Sequence, residues 1–186
     1  HEKNPKDAHV GFVFQNYNES LFPWRTVFEN IVFPREIAKI KKEKQNKIGE
    51  YLLNKIQLLY AKDKYVYELS GGQRQLVSIC RAIASDPDIL IMDEPFSSLD
   101  YLTTRKMELE LLDIWQEKKI TTLFVSHDID EAIFLADKVV VLSPRPASVK
   151  KIFEVKLPRP RTLDMLSSPE FTELRNEILN TFEYEK

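Results

Sequence analysis

The chain has 186 residues, and its 27 Lys and Arg residues against 29 Asp and Glu residues give a formal net charge of −2. This near-neutral balance argues against nucleic-acid binding as the main activity, because such binding depends on basic side chains that capture phosphates. The single cysteine excludes an internal disulfide framework, and no apolar run approaches the ~18 residues that a membrane-spanning helix needs.

The first half of the chain begins with one predicted strand and continues with predicted helices. Val10–Phe14 is a short apolar run typical of a buried strand, and Gln15 follows it. Residues 27–59 are predicted to be helical, because apolar residues recur there at the spacing of one helix face. A further helix is predicted over Arg74–Ala84, and Asp86-Pro87 ends it.

Strand and helix patterns alternate in the next part of the chain. Ile89–Met92 is apolar without alternation, which is typical of a central parallel strand buried on both faces. We predict a helix over Thr103–Lys118, a second central strand over Thr121–Val125, a short helix over Asp130–Ala136 and a third strand over Val139–Leu142. This alternation predicts an α/β fold whose sheet is largely parallel, with crossover helices.

Prolines interrupt the remainder of the chain. Val149–Val155 is predicted to be an edge strand between them. Ser168-Pro169-Glu170 has the residues that favour a helix start: a serine cap, a proline at the first position and an acid in the first turn. A terminal helix is therefore predicted from there to about Phe182.

Two acidic residues directly follow the apolar run Ile89–Met92. Parallel strands bind ligands at their carboxyl ends, so Asp93 and Glu94 are candidates for a site there. An aspartate in this position can hold Mg²⁺, and an adjacent glutamate can activate a water molecule. The same Asp-Glu pair, taken alone, is also compatible with a helix cap or a solvated turn.

The segment Leu69-Ser70-Gly71-Gly72-Gln73 places a hydroxyl and small residues at a predicted helix start. Exposed backbone N–H groups and the helix dipole suit a phosphate there, although a simple serine cap is the alternative. His127 follows the strand Thr121–Val125, and Gln15 follows the first strand. Neither residue is diagnostic by itself.

The order and spacing of Gln15, Leu69–Gln73, Asp93-Glu94, Ser98–Asp100 and His127 resemble the ATP-binding-cassette (ABC) ATPase family. The resemblance covers nearly the whole chain. It implies a partial RecA-like P-loop NTPase core with a parallel sheet, together with an ABC α-helical subdomain.

The family pattern also implies a division of the chain. Residues 1–18 and 81–160 would form the partial core, residues 19–80 the helical subdomain that carries the signature, and residues 161–186 a C-terminal helical tail.

The resemblance assigns a role to each motif. Glu94 would be the catalytic glutamate, and Asp93 would hold Mg²⁺. Gln15 would contact the metal and the attacking water, and His127 would be the switch histidine that touches the γ-phosphate. The signature would bind the nucleotide held by the opposite subunit, and the D-loop would cross the dimer interface. The signature consists of Ser70, Gly71, Gly72 and Gln73, and the D-loop consists of Ser98, Leu99 and Asp100.

The family's phosphate-binding loop, Gly-x-x-x-x-Gly-Lys-Ser/Thr, has no counterpart in this chain. The four glycines are followed by Phe12, Glu50, Gly72 and Gln73, so none of them forms the Gly-Lys pair. We expect this Walker A segment and the adenine-stacking aromatic residue to belong N-terminal to residue 1. The chain alone is therefore expected to be inactive, with apolar faces of its strands exposed.

The resemblance implies the ATP-hydrolysing subunit of an ABC importer, with ATP and Mg²⁺ as cofactors. Three stretches resemble those of the nitrate, sulfonate and taurine importer group: Leu21-Phe22-Pro23-Trp24, Ser143–Pro146 and Leu157–Arg161. Riboflavin- and pyrimidine-type importers carry similar stretches. The implied partners are a second ATPase subunit in a homodimer, a transmembrane permease subunit and, indirectly, a solute-binding protein, but no nucleic acid. The implied location is cytoplasmic and peripheral, on the inner face of the cell membrane.

Three questions stay open at the level of the sequence. A non-transport ABC ATPase is one alternative, although the stretch between Gln15 and Ser70 is too short for the long coiled coil of such proteins. A non-catalytic fragment that acts by protein contact is another, favoured by the missing Walker A motif. The apolar cluster Leu21–Trp24 either packs inside the helical subdomain or lines a groove that receives a helix of the membrane subunit.

Overall fold

The computed structural model describes residues 8–16 and 20–183. The expected boundary between residues 18 and 19 lies outside the described residues, as do the extreme ends of the expected core and tail segments. The chain divides into two compact units, residues 1–125 and residues 126–186. The division into a core and a helical subdomain stays a prediction.

Three parallel strands form the sheet of the first unit. They are β1 (Val10–Val13), β2 (Ile89–Asp93) and β3 (Thr121–Val125), in the order β1-β2-β3. The prediction that Ile89–Met92 is a central parallel strand is confirmed. Leu90 and Met92 point to the buried face, because successive residues of a strand face opposite ways.

Among the residues that the structure describes, this sheet is accompanied by the α-helices α1 (Val27–Ile37), α2 (Lys42–Lys55), α3 (Gly71–Ala84) and α4 (Tyr101–Lys118). The helices α1, α2 and α3 pack against one another, and α3 also contacts β1. Their buried residues form much of the core of this unit, including Val27, Ile31, Leu52, Leu53, Val77 and Ile83.

The strand β3 differs from its prediction. It lies at one edge of the three-stranded sheet and not in a central position, and its Leu123 and Val125 are exposed. An apolar run identifies a strand, but the neighbours on each side of that strand come from distant parts of the chain. The run itself therefore does not fix the position in the sheet.

The second unit contains an antiparallel ribbon and two helices. Its elements are α5 (Ile129–Leu135), β4 (Lys138–Leu142), β5 (Val149–Glu154) and α6 (Pro169–Glu183). The third predicted strand is present as β4, but it does not extend the parallel sheet and pairs antiparallel with β5. The connection over residues 143–148 is too short for a parallel crossover, which needs about a dozen residues. The predicted cap of the last helix is confirmed, since Ser168 Oγ accepts a hydrogen bond from the Phe171 N–H at 3.2 Å.

One face of the parallel sheet is apolar and exposed. The strand register places Phe12, Ile91 and Leu123 side by side on this face. Phe12 is 42% exposed and Leu123 is 56% exposed, and the Phe12 ring lies 4.5 Å from the ring of the exposed Phe14. Exposure was expected on Val10–Phe14 and on Ile89–Met92. It is found on the first of these, at Phe12 and Phe14, whereas Ile91 is half-buried and the exposed side chains of β3 were not expected.

We expect the isolated chain to self-associate through this face, because contiguous exposed apolar side chains favour association with another chain. Light scattering at about 100 µM should show species larger than a monomer. Phe12→Lys or Leu123→Lys should shift the chain toward the monomer, while Leu142→Lys, on the exposed side of β4, should not. A wild-type chain that stays monomeric and melts cooperatively at this concentration would contradict the prediction.

Candidate nucleotide site

Asp93 and Glu94 lie at the carboxyl end of β2. Asp93 is exposed, and the Glu94 N–H donates to the Val125 carbonyl at 2.9 Å. The backbone of Glu94 has a φ of +42°, the left-handed region that is strained for a residue other than glycine. Residues held in such conformations cluster at functional sites, which makes Glu94 a candidate on geometry as well as on motif.

Gln15 and Glu94 lie next to each other in the structure. The Gln15 side chain donates from Nε2 to Glu94 Oε2 at 3.2 Å. The two residues follow β1 and β2, which are parallel neighbours, so their side chains meet at the same edge of the sheet. The Gln15 amide therefore lies beside the Glu94 carboxylate, and Asp93 directly precedes Glu94 in the chain, so this end of β2 offers oxygen atoms of the kind that bind a metal ion and a water molecule.

The turn that follows Glu94 is fixed by its own contacts. The Glu94 carbonyl accepts hydrogen bonds from the N–H and the Oγ of Ser97, at 3.3 and 3.1 Å. Phe96 is buried, and its ring centroid lies 6.0 Å from that of Phe124 on β3. The glutamate therefore sits on an anchored turn.

The signature segment forms the start of α3. Ser70 Oγ accepts from the Gln73 N–H at 3.3 Å, and Gln73 Oε1 accepts from the Ser70 N–H at 3.0 Å. This reciprocal capping box explains why the helix begins at Gly71 and not at the predicted Arg74. The serine acts as a helix cap here, the alternative that the sequence left open beside phosphate binding.

Tyr60 is a residue near the signature that sequence reasoning missed. Gln73 Nε2 donates to the Tyr60 hydroxyl at 3.1 Å. Tyr60 belongs to a short 3₁₀ turn, Leu59–Ala61, and no spacing rule links that turn to the start of α3. Only the folded arrangement reveals this contact.

The signature and the D-loop lie against each other within the first unit. A Cβ atom at Gly72 would approach Thr103 Cγ2 to 2.9 Å and Leu99 Cδ2 to 3.8 Å. Asp100 caps α4, since its Oδ1 accepts from the Thr103 N–H at 3.1 Å and its Oδ2 from the Thr103 hydroxyl at 2.6 Å. These two hydrogen bonds lower the pKa of Asp100. Glycine is needed at position 72 because the two helix starts approach so closely.

His127 lies in the second unit, just before α5. Ser126 Oγ accepts from the Asp128 N–H at 3.0 Å, which fixes the turn around the histidine. Asp128 Oδ1 caps α5 by accepting from the N–H groups of Asp130 and Glu131, at 2.8 and 3.1 Å. The histidine is exposed between these two anchored residues.

The residues at the end of β2 fit a magnesium ion better than a transition metal. Within residues 8–16 and 20–183, no group of three or more His, Cys, Asp and Glu side chains forms a cage for a metal. Mg²⁺ does not require one, since it binds through one or two carboxylates together with phosphate oxygens and water. The exposed carboxylate of Asp93, which directly precedes Glu94 at the end of β2, can serve as one such ligand.

A family model described as "ABC transporter" matches residues 1–97. The chain belongs to the ABC transporter family. The resemblance seen in the sequence motifs is thereby confirmed at the level of the family, as is the α/β fold class.

The chain is similar in sequence to ATP-binding subunits of ABC transporters from other organisms. An uncharacterized ABC transporter ATP-binding protein of Methanocaldococcus jannaschii is 45% identical over 173 residues, which are 93% of this chain and 63% of the relative. An aliphatic sulfonates import ATP-binding protein of Bacillus cereus is 41% identical over 94% of this chain and 66% of its own length. A taurine import ATP-binding protein of Escherichia coli O157:H7 is 39% identical over 93% of this chain and 69% of its own length. The chain thus spans about two thirds of the length of these relatives.

Solved ABC structures share the fold. The dimeric structure of a post-hydrolysis state of an ATP-binding cassette, bound to ADP and Pi, superposes with a TM-score of 0.65 and 30% identity, over 80% of this chain and 64% of that one. The cbiO1 protein of Clostridium perfringens, part of an ABC transporter complex, superposes with a TM-score of 0.72 and 25% identity, over 92% of this chain and 64% of that one. Among the described residues, none of the helices is both long and apolar enough to span a membrane.

Proposed function

We propose that this chain is the ATP-binding and ATP-hydrolysing subunit of an ABC importer for a small solute of the nitrate, sulfonate or taurine kind. The hydrogen bond between Gln15 and Glu94, at the carboxyl ends of neighbouring parallel strands, is the observation that carries the hydrolytic part. The named sulfonate and taurine relatives support the solute class.

The proposed chemistry assigns one task to each of the candidate side chains. Asp93 would hold Mg²⁺, which, when bound, neutralises charge on the phosphates. The carboxylate of Glu94 accepts a proton from the attacking water, and the amide of Gln15 keeps that carboxylate in place. His127 stabilises charge on the γ-phosphate.

The proposed site needs a second subunit. Ser70, Gly71, Gly72 and Gln73 would face the nucleotide held by that subunit, and Ser98, Leu99 and Asp100 would cross the interface. The close approach of Thr103 and Leu99 to position 72 supports this, because it brings the start of α3 beside the D-loop. The dimeric neighbour bound to ADP and Pi also supports a dimer.

The phosphate-binding loop is proposed to come from sequence that precedes His1. The four glycines of this chain do not form a Gly-Lys pair, and the chain covers only 63% of the length of the Methanocaldococcus jannaschii relative. We call the chain extended by the preceding sequence of its gene the extended cassette. Reading that gene upstream of the His1 codon tests the proposal, and the absence of a Gly-x-x-x-x-Gly-Lys-Ser/Thr motif there would favour a non-catalytic fragment.

The extended cassette is proposed to work on the cytoplasmic face of the membrane, bound to a permease subunit and served indirectly by a solute-binding protein. The cluster Leu21–Trp24 is the proposed contact. Leu21 is buried, and the Phe22 ring packs on Phe33 at 4.7 Å. Trp24 is instead 70% exposed, which an interface anchor requires.

Trp24→Ala in the extended cassette should weaken binding to the permease subunit by about 30-fold, the usual effect of removing an aromatic anchor. The melting temperature and ATP binding of the free subunit should not change, because Trp24 is exposed. Co-purification with the permease, together with thermal melting of the free subunit, measures both.

Two variants serve as controls for this prediction. Phe182→Ala removes an aromatic side chain that is 52% exposed in the other unit and should leave permease binding unchanged. Phe22→Ala should lower the melting temperature, since the Arg81 guanidinium and Phe33 both pack on that ring. Unchanged permease binding by Trp24→Ala would remove the proposed docking role.

A further inference from the structure

The helix α5 is too short to fix its own direction. It has seven residues, and helices of this length are marginal unless other segments hold them. His127 directly precedes the cap residue of this helix, Asp128. Any contact that fixes the direction of α5 therefore also fixes the backbone that carries the histidine.

The C-terminal end of α5 is held by two arginines. Arg159 Nη2 donates to the Leu135 carbonyl at 2.9 Å, and Arg161 Nη2 donates to the Ala136 carbonyl at 3.1 Å. These carbonyls belong to the end of the helix, where backbone acceptors lack intrahelical donors and cations are favoured. We call Arg159 and Arg161 the arginine clamp.

Arg159 also binds the residue that follows the helix. Its Nε and Nη2 donate to Asp137 Oδ1 at 3.0 and 2.8 Å. Together with the bond to Leu135, this gives one planar guanidinium three hydrogen bonds to two neighbouring acceptors. A fork of this kind fixes orientation better than a single contact does.

Arg161 is almost fully buried, with 5% of its surface exposed. Its Nε and Nη1 have no hydrogen-bond partner, and burial together with the nearby charge of Arg159 lowers its pKa. A buried guanidinium with unpaired donors costs free energy, so apolar packing alone would not favour an arginine here. Its bond to the Ala136 carbonyl is the contact that distinguishes it from an apolar side chain of similar size.

The N-terminal turn of α5 is held from the same part of the chain. Arg175 of α6 lies with its Nε 2.8 Å from Asp130 Oδ1, within ion-pair distance. The helix α6 also packs against α5, and its Phe171 and Ile178 are buried. Both ends of α5, the helix that follows His127, are thus fixed by residues 159–178.

We propose that Arg159 and Arg161 are positioning residues for His127: by holding the end of α5, they set the direction of the helix and so the place of the imidazole. The proposal depends on the hydrolytic role proposed for His127. It also means that the C-terminal segment, and anything that binds there, can alter the rate of the proposed reaction without touching the nucleotide.

Amide hydrogen exchange on the 186-residue chain tests directly whether the arginine clamp holds α5. Arg159→Ala should speed amide exchange in residues 126–135 by about tenfold or more, since a hydrogen bond to a charged group is lost. Exchange in β4, β5 and α6 should change by less than about twofold. Arg159→Lys, which keeps a charge near Asp137 but loses the planar fork, should recover only part of the protection. Arg145→Ala, an exposed arginine that also precedes a proline, is the matched control and should change nothing.

Kinetics on the extended cassette separates the clamp from the proposed function. Arg159→Ala should lower kcat about tenfold and leave KM for ATP within about twofold, because the histidine acts in the transition state and not in binding. The proposed role of the arginine clamp would be wrong if Arg159→Ala left the amide exchange rates of residues 126–135 unchanged. It would also be wrong if exchange rates rose equally throughout the second unit. If the unaltered extended cassette fails to hydrolyse ATP, the proposed function fails, whereas the exchange result still decides the clamp.

Discussion

Glu94→Gln in the extended cassette should lower kcat for ATP hydrolysis by about 10²–10⁴ and leave ATP binding within about twofold. The amide has the shape of the carboxylate but cannot accept a proton from the attacking water. Glutamine can still interact with Gln15, so the arrangement at the ends of β1 and β2 should survive. Steady-state phosphate release and calorimetric titration with ATP measure the two quantities.

Loss of hydrolysis in the Glu94→Gln protein should also change its oligomeric state in the presence of ATP. If hydrolysis separates the two subunits, the Glu94→Gln protein should accumulate with ATP as a dimer in size-exclusion chromatography. Glu173→Gln, on the exposed side of α6, is a matched change of charge and should hydrolyse ATP at the unaltered rate. Hydrolysis by Glu94→Gln at the unaltered rate, with only monomer in the presence of ATP, would mean that Glu94 has been misassigned.

ATP with Mg²⁺ should bind the isolated 186-residue chain with a dissociation constant weaker than about 1 mM. In P-loop proteins most phosphate contacts come from the backbone N–H groups and the lysine of the Gly-Lys loop, and this chain has no such loop. The side chains of Asp93, Glu94 and Gln15 offer oxygens and an amide, which serve a metal and a water better than a triphosphate.

The extended cassette provides the comparison for this binding experiment. It should bind ATP at micromolar concentrations, and replacing the lysine of its Gly-Lys pair by alanine should bring it back toward the isolated chain. Calorimetric titration in one buffer measures the dissociation constant for ATP of the isolated chain, the extended cassette and its lysine-to-alanine variant. Micromolar binding by the isolated chain would show that the described residues hold the nucleotide without the loop.

The elements that depend on local chemistry were predictable from the sequence. Ser168-Pro169-Glu170 starts a helix as predicted, because a serine cap and a proline act within one turn. The position of β3 and the partner of β4 were not predictable in this way. An apolar run indicates a strand, whereas the neighbours of that strand and its burial are set by contacts between distant segments.

The motifs of the candidate site were also predictable, but not the contacts among them. Gln15 and Glu94 are far apart in sequence and meet only because β1 and β2 are neighbours. The left-handed backbone of Glu94 and the hydroxyl of Tyr60 beside Gln73 have no sequence signal. The proximity of Gly72 to Thr103 likewise depends on how two helix starts approach each other.

The Gln73 side chain is held at both ends, by the Ser70 N–H and by the Tyr60 hydroxyl. A free glutamine side chain samples many rotamers, and immobilising it during binding costs about 0.5–1.5 kcal/mol. Here that loss of conformational entropy has already occurred during folding. A nucleotide that docks on this surface meets a side chain with one orientation, so less of the binding free energy is consumed in ordering the protein.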